Sequence, residues 1–135
     1  MNFNPNTNEI EFVNNALEKF NNEHAGPDNH VLLNIVEYDE NQNVIAGILG
    51  GTYWGWLHID ILWVDEKFRR KKIGSQLLIA AENEAKKRGC HSVHVDTMSW
   101  QAPEFYKKHG YELISELYNI PDGYKKFHFV KRLDV

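Results

Sequence analysis

The chain has 135 residues, 42% hydrophobic and 25% charged, with a net charge of −4. That length suits one domain over residues 1–135, large enough to bury a real core. No apolar run approaches the ~18 residues of a membrane span, and the acidic balance excludes a general binder of nucleic acid or anionic membrane, which needs a basic field over much of its surface.

Met1 to Asn8 lacks the basic and apolar halves of a signal peptide, so a cytoplasmic protein is expected. The single cysteine, Cys90, cannot form an internal disulfide and reads as a small packing residue. Glu9 to Phe20 sets Ile10, Val13, Leu17 and Phe20 at helical spacing, with Asn8 placed to cap the start. Val31 to Tyr38 and Val44 to Tyr53 read as two strands joined by the polar turn Asp39 to Asn43. Gly47, Gly50 and Gly51 inside the second strand point to a bulge or a close backbone approach.

Leu57 to Val64 is the next strand. Alternation puts Leu57, Ile59, Ile61 and Trp63 on one face and His58, Asp60, Leu62 and Val64 on the other. Both faces carry apolar residues, as in a central strand, so a His-x-Asp pair there must be bonded or wet. After a basic turn, Ile73, Leu77, Leu78, Ala81 and Ala85 form the buried stripe of a helix, with Glu82/Lys86 and Glu84/Arg88 spaced to pair on its outer side and Gly89 as its stop. His91 to Thr97 reads as a strand. A short helix runs from about Trp100 to His109, with Ser99 as N-cap and Pro103 in its first turn. Strands at about Tyr111 to Tyr118 and Tyr124 to Arg132 flank the turn Ile120-Pro121-Asp122-Gly123.

The turn between the third strand and the second helix carries the chemistry. A helix N-terminus presents unpaired amides and the positive end of the helix dipole. Lys67, Arg69, Arg70, Lys71 and Lys72 crowd that point in an otherwise acidic chain, and Gly74 leaves room for close backbone approach. A polyphosphate site is implied. The turn has neither the P-loop pattern of nucleoside triphosphatases nor the Gly-x-Gly-x-x-Gly of dinucleotide folds.

Arg69-Arg70-Lys71-Lys72-Ile73-Gly74 resembles the acyl-CoA signature of the GNAT superfamily of N-acetyltransferases, Gln/Arg-x-x-Gly-x-Gly/Ala, with Lys72 in place of the middle glycine. Ala102 to Tyr111 is similar to that superfamily's second segment, an Ala-x-x-Phe-Tyr helix leading to a Gly-aromatic turn. The resemblance covers about Val31 to Leu133 and implies an α/β fold with a mixed central sheet of about six strands flanked by helices. The superfamily's usual first strand has no signal in Met1 to Asn8.

The resemblance also implies roles. The backbone of Leu62, Trp63 and Val64 would pair with the pantetheine arm of acetyl-CoA, while Arg69, Arg70, Lys71, Lys72, Ile73, Gly74 and Ser75 would hold its pyrophosphate. Tyr106 matches the usual general acid. Ser99 stands where an asparagine often contacts the cofactor. A side chain at Lys72 costs the freedom glycine gives the loop, and its charge offsets part of that loss.

Acetyl transfer to an amine needs a neutral amine, a polarised thioester carbonyl and a proton for the departing thiolate. Histidine's ordinary pKa of about 6.5 suits the base, so His58 oriented by Asp60, or Asp60 acting through water, is the expected base. A strand amide near Trp63 or Val64 would polarise the carbonyl. Tyr53, Trp54, Trp56, Tyr118 and Tyr124 are candidate walls of the acceptor pocket, since aromatic faces hold cations. Histidines 24, 30, 91, 94, 109 and 128 form no compact ligand set in the sequence, and His91 and His94 are expected on opposite sides of their strand, so no metal is expected.

The expected reaction is acetyl transfer from acetyl-CoA to a primary amine of a small molecule by direct attack in a ternary complex. A protein lysine or N-terminus is the rival acceptor. A non-catalytic acyl-CoA-binding module is the rival from another class, suggested by Lys72 and Ser99. A second copy of the chain is the one macromolecular partner kept open.

Overall fold

A computed structural model describes residues 1–135. Helix α1, Thr7–Ala25, comes first, with no strand before it. Its cap is Asn6, not Asn8. Asn6 Oδ1 accepts from the Glu9 amide at 2.9 Å, and the Glu9 carboxylate accepts from the Asn6 amide at 3.0 Å, so each side chain satisfies the other residue's orphan amide in a capping box. No residue of α1 is buried.

Strands β1 (Val31–Tyr38), β2 (Val44–Tyr53) and β3 (Trp56–Val64) follow as an antiparallel meander. The β2–β3 turn places Trp54 and Gly55 at φ 43 and 80, the two left-handed residues whose twist suits a tight hairpin. Helix α2 spans Ile73–Lys87, β4 Ser92–Met98, α3 Pro103–Lys108, β5 Glu112–Tyr118 and β6 Lys125–Arg132. The short helix starts later than its sequence suggests: Ala102 is its N-cap and Pro103 its first residue, where a missing amide proton costs no helical bond.

The strands form one mixed sheet in the order β1-β2-β3-β4-β6-β5, the expected six-stranded α/β architecture. Only β3 and β4 are parallel. Leu33, Ile48, Leu57, Ile59, Val93, Val95 and Phe129 point to one face, where Leu77, Leu78, Ala81 and Ala85 of α2 and Tyr106 of α3 join them in the core. No helix is long and apolar enough to cross a membrane.

Two packing details correct the sequence reading. The β2–β3 register slips between Leu49 and Gly50, leaving Asp60 without a partner on β2. A bulge residue shifts the alternation by one. Leu57 and Ile59 therefore face the core, but beyond Asp60 the core-facing pair is Leu62 and Val64, while Ile61 and Trp63 are exposed. Gly50 permits this, because a Cβ there would collide with the His58 carbonyl oxygen.

The second correction concerns Glu82, which does not pair with Lys86 on the outer side of α2. It is buried, accepting from the Tyr111 hydroxyl at 2.7 Å and from Lys131 Nζ at 3.1 Å. Glu84 and Arg88 do pair, at 3.2 Å.

Candidate active site

Strands β3 and β4 pair only from Trp56↔Ser92 to Ile59↔Val95, although β3 runs on to Val64 and β4 to Met98. Beyond that point they splay. The gap is a cleft of about 780 Å³ walled by the free edge of β3 from Asp60 to Val64, by Val95, Asp96 and Thr97 of β4, and by Tyr106. A strand edge with unpaired amides and carbonyls offers the backbone partners an extended chain needs.

The start of α2 closes one end of the cleft. Arg69, Arg70, Lys72, Ile73, Gly74 and Ser75 all line it. The first turn of α2 contains no acid and Lys72 makes no side-chain cap, so its amides stay available to an anion. Lys72 sits at φ 63, ψ 17, the left-handed conformation that favours glycine. The loop has thus kept the glycine backbone while carrying a lysine. Arg69 Nε donates to the Val64 carbonyl at 3.2 Å, tying the turn to the strand it leaves. A Cβ at Gly74 would meet Phe105 and Val64 only at ordinary contact, so this position also serves helix packing. An extended free edge leading into cationic, unpaired helix amides fits a pantetheine arm ending in a pyrophosphate.

Not every expected residue is in the cleft. Lys71 is outside its walls, with Nζ 5.3 Å from the Phe68 ring centroid. Ser99 is outside as well and caps nothing: its Oγ accepts from the Lys125 amide at 3.0 Å while its own amide donates to the Lys125 carbonyl, which clips the end of β4 to β6. Phe68, Asp96, Trp100, Gln101 and Phe105 line the cleft without having been read from the sequence. The loop spacing that brings Trp100 and Gln101 there has no periodic signal.

Tyr106 is buried, and burial pushes its phenol up to about 12. The neighbouring Tyr111 phenol is also raised, first by burial and then by the Glu82 carboxylate, but its hydroxyl is committed to Glu82. Of the two phenols, Tyr106 is the one that lines the cleft.

A second pocket of about 300 Å³ adjoins the first, walled by His30, Tyr53, His58, Asp60 and His94. Asp60 belongs to both cavities. His58 Nδ1 stands 2.9 Å from Asp60 Oδ1, and His58 Nε2 stands 2.9 Å from His30 Nε2. The expected His58–Asp60 pair is therefore formed, with Asp60 towards the cleft and His58 behind it. Tyr53 Oη lies 3.2 Å from His94 Nε2. Burial, then the neighbouring His128 and His58, hold His94 below the ordinary histidine range.

The sheet gathers histidines that looked scattered in the sequence. Rings of His30 and His58, His58 and His94, and His94 and His128 follow one another at 5.1, 6.4 and 5.7 Å. His128 Nε2 is buried 3.2 Å from Asp96 Oδ1, in contact but off hydrogen-bond geometry. No three of these groups converge in a metal-holding arrangement. His91 falls just before β4, where alternation does not govern it, and its ring and that of His94 both meet Trp56 edge-on at 5.7 and 5.6 Å.

The aromatic candidates separate. Tyr53 walls the second pocket and Trp56 supports His94. Tyr124 stacks edge-on against Trp100 at the cleft, centroids 5.2 Å apart. Trp54 donates its indole N–H to the Gly26 carbonyl, and Tyr118 donates to Glu116, so both are engaged away from the cavities.

Known proteins show the same construction. The model of the acetyltransferase (GNAT) family matches residues 4–111. Blasticidin-S acetyltransferase of Streptomyces morookaense is 38% identical over 95 residues, which cover 70% of this chain and 70% of that one. An acetyltransferase of Agrobacterium fabrum is 37% identical over 91 residues, 67% of this chain and 66% of that one. The crystal structure of an acetyltransferase from Bacillus cereus superimposes with a TM-score of 0.91 at 36% identity, covering 98% of this chain and 96% of the other. The chain belongs to the GNAT family and is an acetyl-CoA-dependent N-acetyltransferase.

Proposed function

We propose that the chain acetylates a primary amine of a small polar molecule, which enters the histidine-lined pocket while acetyl-CoA fills the cleft. The observation that carries this reading is Asp60, the residue common to both cavities. A pocket of about 300 Å³ is at the small end of ligand sites. The relative that acts on blasticidin S supports a small acceptor over a protein one.

Acetyl-CoA supplies the acetyl group as a thioester. Leu62, Trp63 and Val64 hold its extended arm by their free backbone groups, and Arg69, Arg70, Lys72, Ile73, Gly74 and Ser75 hold its phosphates. Asp60 pairs with the incoming ammonium at the junction of the cavities and accepts its proton directly or through water. His58 stabilises the Asp60 carboxylate through Nδ1–H, and Asp60, whose side chain is exposed, releases the proton to solvent. The neutral amine nitrogen then bonds to the acetyl carbon as the carbon–sulfur bond breaks, and the remaining excess proton on nitrogen passes to the again-ionised Asp60 or to water, leaving the neutral amide. Tyr106 gives its phenolic proton to the departing sulfur and recovers one from solvent.

Thiol release from acetyl-CoA with a panel of nucleoside amines, aminoglycosides, polyamines and peptides tests the reading. Turnover of small amines supports it, and turnover confined to peptides overturns it.

A further inference from the structure

The sheet has a second face, and nothing in the chain covers it. Antiparallel Cα partners share a face, so the pairs Leu32↔Gly51, Asn34↔Leu49, Val36↔Gly47, Leu49↔Ile61 and Gly47↔Trp63 put Leu32, Val36, Leu49, Ile61 and Trp63 together, opposite α2. All five are exposed, Leu32 by 65%. Gly47 adds no side chain to this face, and the His30 and His58 rings over Gly51 bound it at one end.

Helix α1 has the reverse problem. Ile10, Val13, Leu17 and Phe20 form one apolar stripe, yet each is at least half exposed and no residue of the helix is buried. A lone helix of this length gains little from its backbone and depends on packing for its stability. The linker after it is pinned to the far end of the hairpin, where the Gly26 carbonyl accepts from Trp54 Nε1 and the Asp28 carbonyl from the Trp54 amide. The Bacillus cereus structure superimposes over 98% of the chain, a coverage that cannot leave out a helix of 19 residues.

We propose that α1 of a second copy lies on this bare face, and that the exchange is reciprocal. The dimensions match: 19 residues make a helix about 28 Å long, and strands of 8 and 10 residues run about 26–34 Å. A helix about 10 Å wide covers roughly 280 Å². Two helices and the two faces beneath them remove at least about 1,100 Å², above the roughly 1,000 Å² that a specific interface needs. Each protomer supplies one orphan stripe and one orphan face, so a twofold pair satisfies both at once. Ile61 and Trp63 also wall the cleft, so the docked helix closes its acceptor side; that consequence rests on the function proposed above, whereas the exchange itself does not.

Sedimentation of the full chain tests the exchange without reference to activity. The wild type is expected at twice the 15.8 kDa chain mass. Leu17→Glu on the helix and Leu32→Glu on the sheet each give monomers that keep the cooperative melt of the sheet core and lose no more helical signal than the 19 residues of an undocked α1, both positions being exposed in the single chain. An equimolar mixture of the two variants dimerises at a concentration where neither does alone, because the intact helix of one fits the intact face of the other. A monomeric wild type, in which α1 docks on its own sheet or on another protein, overturns the proposal. So does a dimer that survives both substitutions, or a mixture that stays monomeric at every concentration.

Discussion

His58 Nδ1 lies 2.9 Å from the carboxylate of Asp60, at the one residue of β3 that the bulge leaves without a partner on β2. The bulge sets Asp60 at the mouth of the splay, where it borders both cavities, and leaves His58 bordering only the smaller one. On the proposed reading, with acetyl-CoA in the cleft, Asp60 is the nearer group to the reacting atoms. Asp60→Asn is expected to lower kcat/KM for the amine by about 10²-fold or more, while acetyl-CoA binding, measured by calorimetry, stays within a few-fold. His58→Gln is expected to lose less. The opposite ranking would make His58 the base and Asp60 its orienting partner.

Tyr106 is held at about 12 by burial. Its phenol therefore stays protonated through the range in which the enzyme can be assayed, and it contributes no alkaline fall in rate below about pH 11. Tyr106→Phe is expected to reduce kcat by about 10²-fold with KM for acetyl-CoA little changed. A wild-type rate that falls between pH 9 and 10, and a Phe variant that lacks only this fall, would assign a far less perturbed phenol to the acid.

Lys72 pays a conformational cost for its position at φ 63. Lys72→Gly is expected to raise stability by about 1 kcal/mol, which for a domain of this size is about 3–6 °C in Tm. Because the backbone already has the glycine conformation, the variant's Kd for acetyl-CoA is expected to change by less than tenfold. A larger loss in a titration would show that the lysine charge, not the amides of α2, dominates phosphate binding.

The strands of β1 and β2 were legible to the residue because alternation and polar turns are local signals. The resemblance singled out the signature turn and Tyr106, and Tyr106 and all of the turn but Lys71 line one cleft. What the sequence concealed depends on partners distant in the chain. The bulge at Asp60 follows from Gly50 on the neighbouring strand, and it reverses the facing of Ile61 to Val64. His30 and His58 meet over Gly51 of the intervening β2, and His94 and His128 continue the row because β4 lies beside β3 and β6, out of chain order, lies beside β4. Ser99 reads as a helix cap only until β6 arrives to claim it.

Glu82 illustrates the same point energetically. Its helical spacing to Lys86 suggests a surface pair worth a few tenths of a kcal/mol, whereas in the fold it is the buried acceptor for Tyr111 and Lys131. Removing one partner of such a pair leaves the others uncompensated. Glu82→Gln is expected to cost about 2–3 kcal/mol by chemical denaturation, and Lys86→Ala under 0.5 kcal/mol. Equal effects would return Glu82 to the surface.

His94 gives the stability a pH dependence. It is held below the ordinary histidine range by burial and by the cations His128 and His58 become when protonated, with Asp96 and Asp60 opposing. A histidine whose pKa is lower folded than unfolded binds fewer protons in the native state, so stability rises with pH across that interval. The contribution is complete above the unfolded value of about 6.5 and is lost as pH falls through the folded value. Tm is therefore expected to be flat above about pH 7 and to decline towards pH 5, with His94→Gln showing a shallower decline measured by thermal melts. An identical slope in the variant would place the linkage on other groups, and would remove the physical reason for a neutral His94 beside the amine pocket.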